Sequence, residues 1–295
     1  MKPAPFEYSR PATLEETCAL LAADEGAQII AGGQTLVPMM AMRLARPTRL
    51  IDIGRIEELS YIHDRGNFVG IGAATRQRLV ENHPLIAAKA PLLAAAMPHV
   101  GHAATRARGT VGGSLANADP AAEIALVAVT LDATICCREG TRDFEIPAAE
   151  FFVGAMTTAL PPRGCLTAVR FPVWRSERLG VAFHEVNARR SDFAFVSAAA
   201  QIALEPDGTC RRLALAIGAA TEVPIRLHAA EAALQGSRLD PSSARALIAE
   251  ALADAVTLAD LHASADYRRR VAVTLACRAV SDAADAARTK APHAH

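Results

Sequence analysis

A short β-prone run that ends on two adjacent glycines constrains this chain more than any other feature. It lies in AQIIAGGQTLVPMMAMRLARPTRLIDI, Ala27 to Ile53. Ala27 to Ala31 reads as a strand, Gly32 and Gly33 as a tight turn, and Val37 to Leu44 as an apolar, helix-prone segment. Lacking Cβ atoms, the two glycines can take positive φ and let a ligand approach the main chain closely. The N–H groups of such a turn, with the free ones at a helix start, form a pocket for an anion. The Thr35 hydroxyl adds one more donor.

The chain repeats the pattern. Thr110 to Ser114 reads TVGGS and is followed by LANADPAAEI. Here again a glycine pair and a hydroxyl residue precede an expected helix start, with Asp119 as its N-cap and Pro120 at the first helical position. Two glycine-rich anion cradles suit a ligand with two phosphates and a long body, as a dinucleotide has. Neither turn has the G-x-G-x-x-G spacing, which disfavours a Rossmann fold.

AGGQTLVPMMAMRLARPTRLIDI together with GTVGGSLANADPAAEI resembles the FAD-binding medium subunit of the molybdenum hydroxylases, the family of carbon monoxide dehydrogenase and xanthine dehydrogenase. The resemblance runs from PFEYSRPATLEE to HASADYRRRVA, nearly the whole chain. It implies an α+β fold: a two-part FAD-binding domain of the PCMH (vanillyl-alcohol-oxidase-like) type over residues 1–174, then a smaller C-terminal domain over 175–295.

Composition agrees with a large globular chain. The 295 residues are 51% hydrophobic, enough for a substantial core. Lys plus Arg and Asp plus Glu both number 31, and aromatics are only 4%, so neither a polyanion partner nor base stacking is indicated. The six cysteines, Cys18, Cys136, Cys137, Cys165, Cys210 and Cys277, form no C-x-x-C and no cluster at iron–sulfur or zinc spacing. Buried free thiols in a reducing compartment are expected. His99 and His102 share a helical spacing, with no neighbouring Cys or carboxylate to complete a metal site. The N-terminus has prolines and acids where a signal peptide has its apolar core, and the longest apolar runs are too short to span a membrane. A cytoplasmic location is expected.

The remaining elements follow from local signals. Thr13 and Glu16 form a capping box for a helix ending near Gly26. Leu50 to Ile53 and Phe68 to Ile71 read as strands, Thr75 to Asn82 and Leu85 to Met97 as helices. Ala133 to Arg138 and Thr141 to Ile146 read as a hairpin, and Leu166 to Phe171 as a strand. Polar Trp174 to Arg178 reads as a linker. Beyond it, Ala182 to Val186, Phe193 to Leu204 and Leu213 to Ala219 are expected to form a three-stranded antiparallel sheet. Helices over Arg226 to Gln235, Ser242 to Leu252 and Ala265 to Ala287 would pack on it, leaving Lys290 to His295 as a short tail.

No nucleophile–base pair with supporting context is present, so no catalytic residue is assigned; the cofactor would supply the reactivity. Carried over residue by residue, the resemblance places Ala31, Gly32, Gly33, Gln34, Thr35 and Leu36 around the FAD pyrophosphate, with Thr110, Gly112, Gly113 and Ser114 as its second contact. Val100 to Ala104 would lie along the cofactor, Glu123 would accept from FAD hydroxyls, and Leu166 would offer a backbone contact on the adenine side. Glu123 also reads as a first-turn acid, Val100 and Ala104 as a helix end, and Leu166 as strand core. Where carbon monoxide dehydrogenase has a lysine this chain has Glu185, so no contact is transferred there. Where it has a tyrosine near the flavin this chain has Phe193, which can still stack; the alternative is that Phe193 and Phe195 are core residues of one strand face.

The resemblance further implies partners. A large molybdopterin-binding subunit would hydroxylate a substrate, a small subunit with two [2Fe–2S] clusters would carry the electrons, and this chain would pass them through FAD to an external acceptor, in a dimer of three-subunit units. Two alternatives stay open: a self-contained FAD-dependent oxidase or dehydrogenase, and a non-catalytic assembly subunit.

Overall fold

The computed structural model describes residues 2–289; Lys290 to His295, read above as a short tail, lie outside the described residues. The chain first builds a small parallel sheet in the order Glu7–Ser9, Arg49–Asp52, Ala27–Ile30. The Leu14–Ala23 helix covers it with Thr13 as its N-cap, whose hydroxyl accepts from Glu16 N–H; the Glu16 carboxylate reaches back one residue further than a capping box, to Ala12 N–H at 2.7 Å. Leu14, Cys18 and Leu21 pack on Ile51, Ile53, Ile56 and Leu59 as a small separate core.

A five-stranded antiparallel sheet follows, in the order Ile62–Asp64, Phe68–Gly72, Gly164–Pro172, Thr134–Glu139, Arg142–Pro147. The late strand Gly164–Pro172 returns to its centre. The expected hairpin is therefore real, and the expected late strand lies in the middle of the sheet. The single helix expected over Leu85 to Met97 is broken into Pro84–Lys89, Pro91–Ala96 and a 3₁₀ turn, Met97–His99. Pro91 has no N–H to continue the first helix and instead starts the second.

The remaining sheet has four antiparallel strands, Leu179–Asn187, Ala194–Leu204, Cys210–Gly218 and Ile225–Arg226, one more than the sequence suggests. Arg226, expected to open a helix, is instead the second residue of that short strand, and the helix starts at His228. The Arg226 backbone pairs with Ala216 of the Cys210–Gly218 strand. The Arg226 guanidinium is held by Asp132 and by Glu231 Oε1, at 2.8 Å from its Nε, in a half-enclosed ion-pair network.

This sheet is buried on both faces. One face, with Phe183, Ala199 and Ala216, joins the core of the preceding sheet and its helices. The other, with Ala198, Ala200, Ile202 and Leu215, packs on the C-terminal helices. Double burial explains why Ala194–Leu204 is apolar almost throughout instead of alternating. The long helix Ala265–Thr289 approaches very closely at Gly180, where a Cβ would stand 1.9 Å from the Ala283 carbonyl oxygen. Residues 173–178 are irregular, as a connector should be, but not solvated throughout: Trp174 is buried with Leu179, Ala203 and Ala214, and the Arg212 guanidinium lies 3.8 Å from its ring centre. The polar reading of this stretch missed that its one large apolar residue had a neighbouring sheet to cover it.

Candidate functional site

The first glycine turn is built as its sequence suggests. Gly33 has φ +68, which a side chain would resist, and the Leu36–Ala41 helix begins directly after Thr35. Val37 N–H bonds back to the Gly33 carbonyl at 3.1 Å. Among the described residues, no backbone carbonyl takes the N–H groups of Gly32 to Leu36. The Thr35 hydroxyl makes no capping bond and is exposed. The main-chain donors of Thr35 and its neighbours are therefore uncommitted among the described residues.

Gly32 is a glycine for another reason. A Cβ there would stand 2.5 Å from the Arg108 carbonyl oxygen and 2.8 Å from Gly109 Cα. The first motif thus rests on the residues that lead into the second. Together they enclose a cleft of 570 Å³, lined by Ala31, Gly32, Gly33 and Gln34 with Arg10, Arg76 and Arg108. Arg76 donates to the Arg108 carbonyl, and Arg10 lies 3.6 Å from Asp52, which also accepts from the Tyr8 hydroxyl. The bond to Asp52, then burial, pushes the Tyr8 phenol above its ordinary range. Sequence reasoning missed these three arginines. Arg108 stands in RARGTVGG, two residues before the motif, and was legible; Arg10 and Arg76 carry no local signal.

The second motif is not a free-amide turn. Thr110 is the N-cap of a helix over Val111–Asn117, so both glycines lie in its first turn. Its N–H groups are already used: Val111 bonds to the Thr75 carbonyl, Gly112 to that of Ala73, Gly113 to the Thr110 hydroxyl and Ser114 to the Thr110 carbonyl. Of the two motifs, only the first leaves its main-chain donors without backbone acceptors among the described residues. Gly112 is needed for packing, since a Cβ would stand 2.5 Å from that of Ala73, whereas Gly113 is exposed and a Cβ would meet only the Thr110 hydroxyl. Asp119 is not an N-cap either. It accepts from Ala121 N–H at 2.9 Å in a turn, and the next helix starts at Glu123.

Other residues named from the sequence are dispersed. Val100 is buried in the core, while Ala104 is exposed on the Ala103–Arg108 helix. The loop between them is tied by Arg106, which donates to the Val100 and Gly101 carbonyls and forks onto Glu81. Leu166 is buried beside a bulge in the central strand, as a core residue would be. Phe193 and Phe195 do not share a strand face. The strand begins at Ala194, and Phe193 sits before it in a turn with 75% of its surface exposed. Phe195 instead stacks on His262 at 6.0 Å, with Arg268 over its ring.

Glu123 is gathered with charged groups from both parts of the chain. It is 8% exposed. Burial first, then the charges of Glu185 and Asp119, push its carboxyl up to about 7, against its own N–H and His99. Glu185, on the Leu179–Asn187 strand, has its side chain only 6% exposed. Its Oε1 lies 3.2 Å from His99 Nδ1 and accepts from Asn187 Nδ2 at 2.9 Å, and His99 packs on Phe183 with ring centres 4.9 Å apart. Glu185 Oε2 is buried without a partner among the described residues. No group of three or more His, Cys, Asp or Glu among the described residues is placed to hold a metal ion, and burial pushes the Cys137 and Cys165 thiols up to about 12. No helix among the described residues is long and apolar enough to cross a membrane.

Comparison with known proteins bears directly on this site. Residues 4–174 match the family described as the FAD binding domain in molybdopterin dehydrogenase, and residues 181–283 the CO dehydrogenase flavoprotein C-terminal domain. The chain is similar to the nicotine 6-hydroxylase medium subunit of Paenarthrobacter nicotinovorans, 34% identical over 96% of this chain and 99% of that one. It is similar also to the caffeine dehydrogenase subunit beta of Pseudomonas sp. (strain CBB1), 35% identical over 97% of each. Among solved structures, carbon monoxide dehydrogenase from Hydrogenophaga pseudoflava lacking the Mo-pyranopterin moiety superposes with a TM-score of 0.93 at 32% identity, covering 97% of this chain and 99% of that one.

The raised Glu123 carboxyl makes stability depend on pH. The folded chain keeps this proton up to about 7, while an unfolded chain releases it near 4.5. The group's contribution is therefore fully present below 4.5 and is lost as pH rises through 7. Glu123→Gln should match the cofactor-free wild type near the acid end and exceed it in stability by on the order of 2–3 kcal/mol above neutrality. Denaturant titrations of both proteins at a series of pH values would show this; a constant difference between them would contradict it.

Proposed function

The chain belongs to the FAD-binding medium subunits of the molybdenum hydroxylases, and on that premise we propose that it takes electrons from the [2Fe–2S] clusters of a small partner subunit and hands them to an external acceptor. A large molybdopterin-binding subunit would hydroxylate the organic substrate, and two such three-subunit units would pair in the cytoplasm. FAD, when bound, supplies the two-electron redox chemistry. Residues 1–174 would form the FAD-binding domain and 175–295 the C-terminal domain.

The observation that carries this reading is the first-motif cleft. The N–H groups of Gly32 to Leu36 have no backbone acceptor among the described residues, and Gly32, Gly33 and Gln34 line a space edged by Arg10, Arg76 and Arg108. That donor set fits a diphosphate, whose negative oxygens accept from backbone N–H and arginine together. Ala31, Gly32, Gly33, Gln34, Thr35 and Leu36 would hold the pyrophosphate, with Arg10, Arg76 and Arg108 balancing its charge. The second motif would act by its exposed surface at Gly113 and the Ser114 hydroxyl, since its amides are spent. Phe193 would cover the flavin ring, and Glu123 would meet a polar part of the cofactor. Val100, Ala104 and Leu166 would shape the walls. The division of labour is tested by preparing the chain alone with FAD and adding candidate organic substrates. No reduction is expected until the cluster-bearing and molybdenum-bearing subunits are supplied; turnover by the isolated chain would refute it.

The cradle is tested at Gly33. A Cβ there would stand 3.1 Å from Val37 Cγ2, and a positive φ costs a side chain roughly 1–2 kcal/mol. Gly33→Val should leave a folded protein that retains FAD poorly, read as the flavin absorbance per chain after gel filtration. Full occupancy would mean that the pyrophosphate lies elsewhere.

Phe193 and Phe195 should now separate. Phe193→Ala should weaken FAD binding by about 1 kcal/mol, the worth of one aromatic contact beyond area burial. Phe195→Ala should instead lower the melting temperature and leave FAD affinity unchanged. Equal FAD affinity in the Phe193 variant and the wild type would remove Phe193 from the site.

A further inference from the structure

The helix behind the first motif ends in a way that puts an apolar side chain into water. Arg43 stands at φ +60 just past the helix end. Its N–H bonds to the Met40 carbonyl at 3.0 Å, and Leu44 N–H reaches back to that of Met39 at 2.9 Å. This is the Schellman pattern, which ordinarily has glycine or asparagine where Arg43 stands and folds the following residue onto the last turn of the helix. Here the strained position holds an arginine, and Leu44 is 70% exposed. Val37 on the same helix and Met42 at its end are exposed as well.

The charges around these residues are of one sign. From Ala31 to Arg46 the sequence has no Asp or Glu, although the whole chain has as many acids as bases, 31 of each. Arg43 and Arg46 are exposed, and their Nε atoms donate to the backbone carbonyls of Lys2 and Arg43; neither meets a carboxylate among the described residues. Methionine and arginine without acids is the composition of a protein interface, not of ordinary surface. The patch also adjoins the cleft, since Val37 and Pro38 line it. The exposed pair Val256 and Leu261 lies instead on the stretch before the last helix and lines no part of the cleft.

We propose that Val37, Met42 and Leu44, with Arg43 and Arg46, form the surface on which the small [2Fe–2S] subunit docks. The proposal rests on the electron-transfer reading given above and adds where the donor sits. Three arguments select this occupant. A [2Fe–2S] cluster held by thiolates is anionic, so the guanidinium groups attract and orient the protein that bears it. An electron donor must come close to the cofactor, and this patch continues the cleft wall. A second copy of this chain is disfavoured, because a two-fold axis through the patch would set Arg43 and Arg46 against their own counterparts. Main-chain bonds hold the turn before any partner arrives, so docking loses little conformational freedom there.

The test is the affinity of the full chain for the [2Fe–2S] subunit that co-purifies with it, measured by sedimentation of the two separated subunits at low and high salt. Leu44→Ser and Arg46→Glu should each weaken association about tenfold or more. Melting temperature and flavin bound per chain should stay at wild-type values, since neither side chain is buried or lines the cleft. The Arg46→Glu deficit should shrink at high salt, and the Leu44→Ser deficit should not. Val256→Ser, on the other exposed stretch, should bind as the wild type does. Wild-type affinity in both Leu44→Ser and Arg46→Glu, or an equal loss in Val256→Ser, overturns the docking surface and leaves the electron-transfer reading standing. So does a loss confined to the molybdopterin-binding subunit. A folded wild type that binds no [2Fe–2S] subunit overturns the electron-transfer reading along with it.

Discussion

The closest backbone approach near the cleft, Gly32 against Arg108 and Gly109, is the contact on which the arrangement of this site depends. It joins the small parallel sheet to the segment that leads into the second glycine motif. Around it, Gln77 N–H bonds to the Gly109 carbonyl and Arg76 to that of Arg108, so residues far apart in sequence converge on one edge. A side chain at Gly32 would force the two units apart, since a Cβ there would stand 2.5 Å from the Arg108 carbonyl oxygen and real Cβ atoms do not approach within 3.0 Å of backbone. The donors of Gly32 to Leu36 and the three arginines would then no longer share a cleft.

A second constraint acts at the junction between the two main sheets. The four-stranded sheet is covered on one face by helices of the first half and on the other by the long C-terminal helix. Such burial leaves few places where polar groups can sit, and those present are gathered into networks. Arg226 joins Asp132 to Glu231, and Arg268 donates to the carbonyls of Phe195 and Ala219 and to Asp260. His99 reaches across to Glu185. The first joins Asp132 of the first half to Arg226 and Glu231 of the second, whereas the Arg268 network lies wholly within the second half. The third leaves one oxygen of the buried Glu185 carboxyl without a partner among the described residues.

The chemistry of the molecule follows from these two constraints. A diphosphate needs donors that are fixed before it arrives, because ordering them on binding would cost affinity. Gly33 at positive φ and the helix start behind it supply fixed donors without side-chain entropy. The reactive part of a flavin needs a nearby environment whose charge and proton content are set by burial.

Much of this was legible in the sequence, and the reason is locality. The strand, glycine pair and helix of the first motif, the Thr13 N-cap and the hairpin about Glu139-Gly140 each depend on bonds within a few residues. The family resemblance rests on the same two motifs, and the fold class followed from it. Non-local partners decided the rest. The second motif looked like the first, yet its amides were claimed by the carbonyls of Ala73 and Thr75, some forty positions earlier, and by Thr110 itself. Phe193 and Phe195 have the spacing of one strand face, but the bulge that pairs Asn187 with Ala194 starts the strand too late to include Phe193. Arg10 and Arg76 enter the cleft only through chain crossings that no local pattern records. The sequence by itself determined which residue types stand at the glycine turns and which segments can be strand or helix, because those are short-range steric and hydrogen-bonding preferences. Only the tertiary structure decided which N–H groups stay free, which aromatic is exposed and how deeply Glu123 is buried, because each depends on what other parts of the chain bring within a few ångströms.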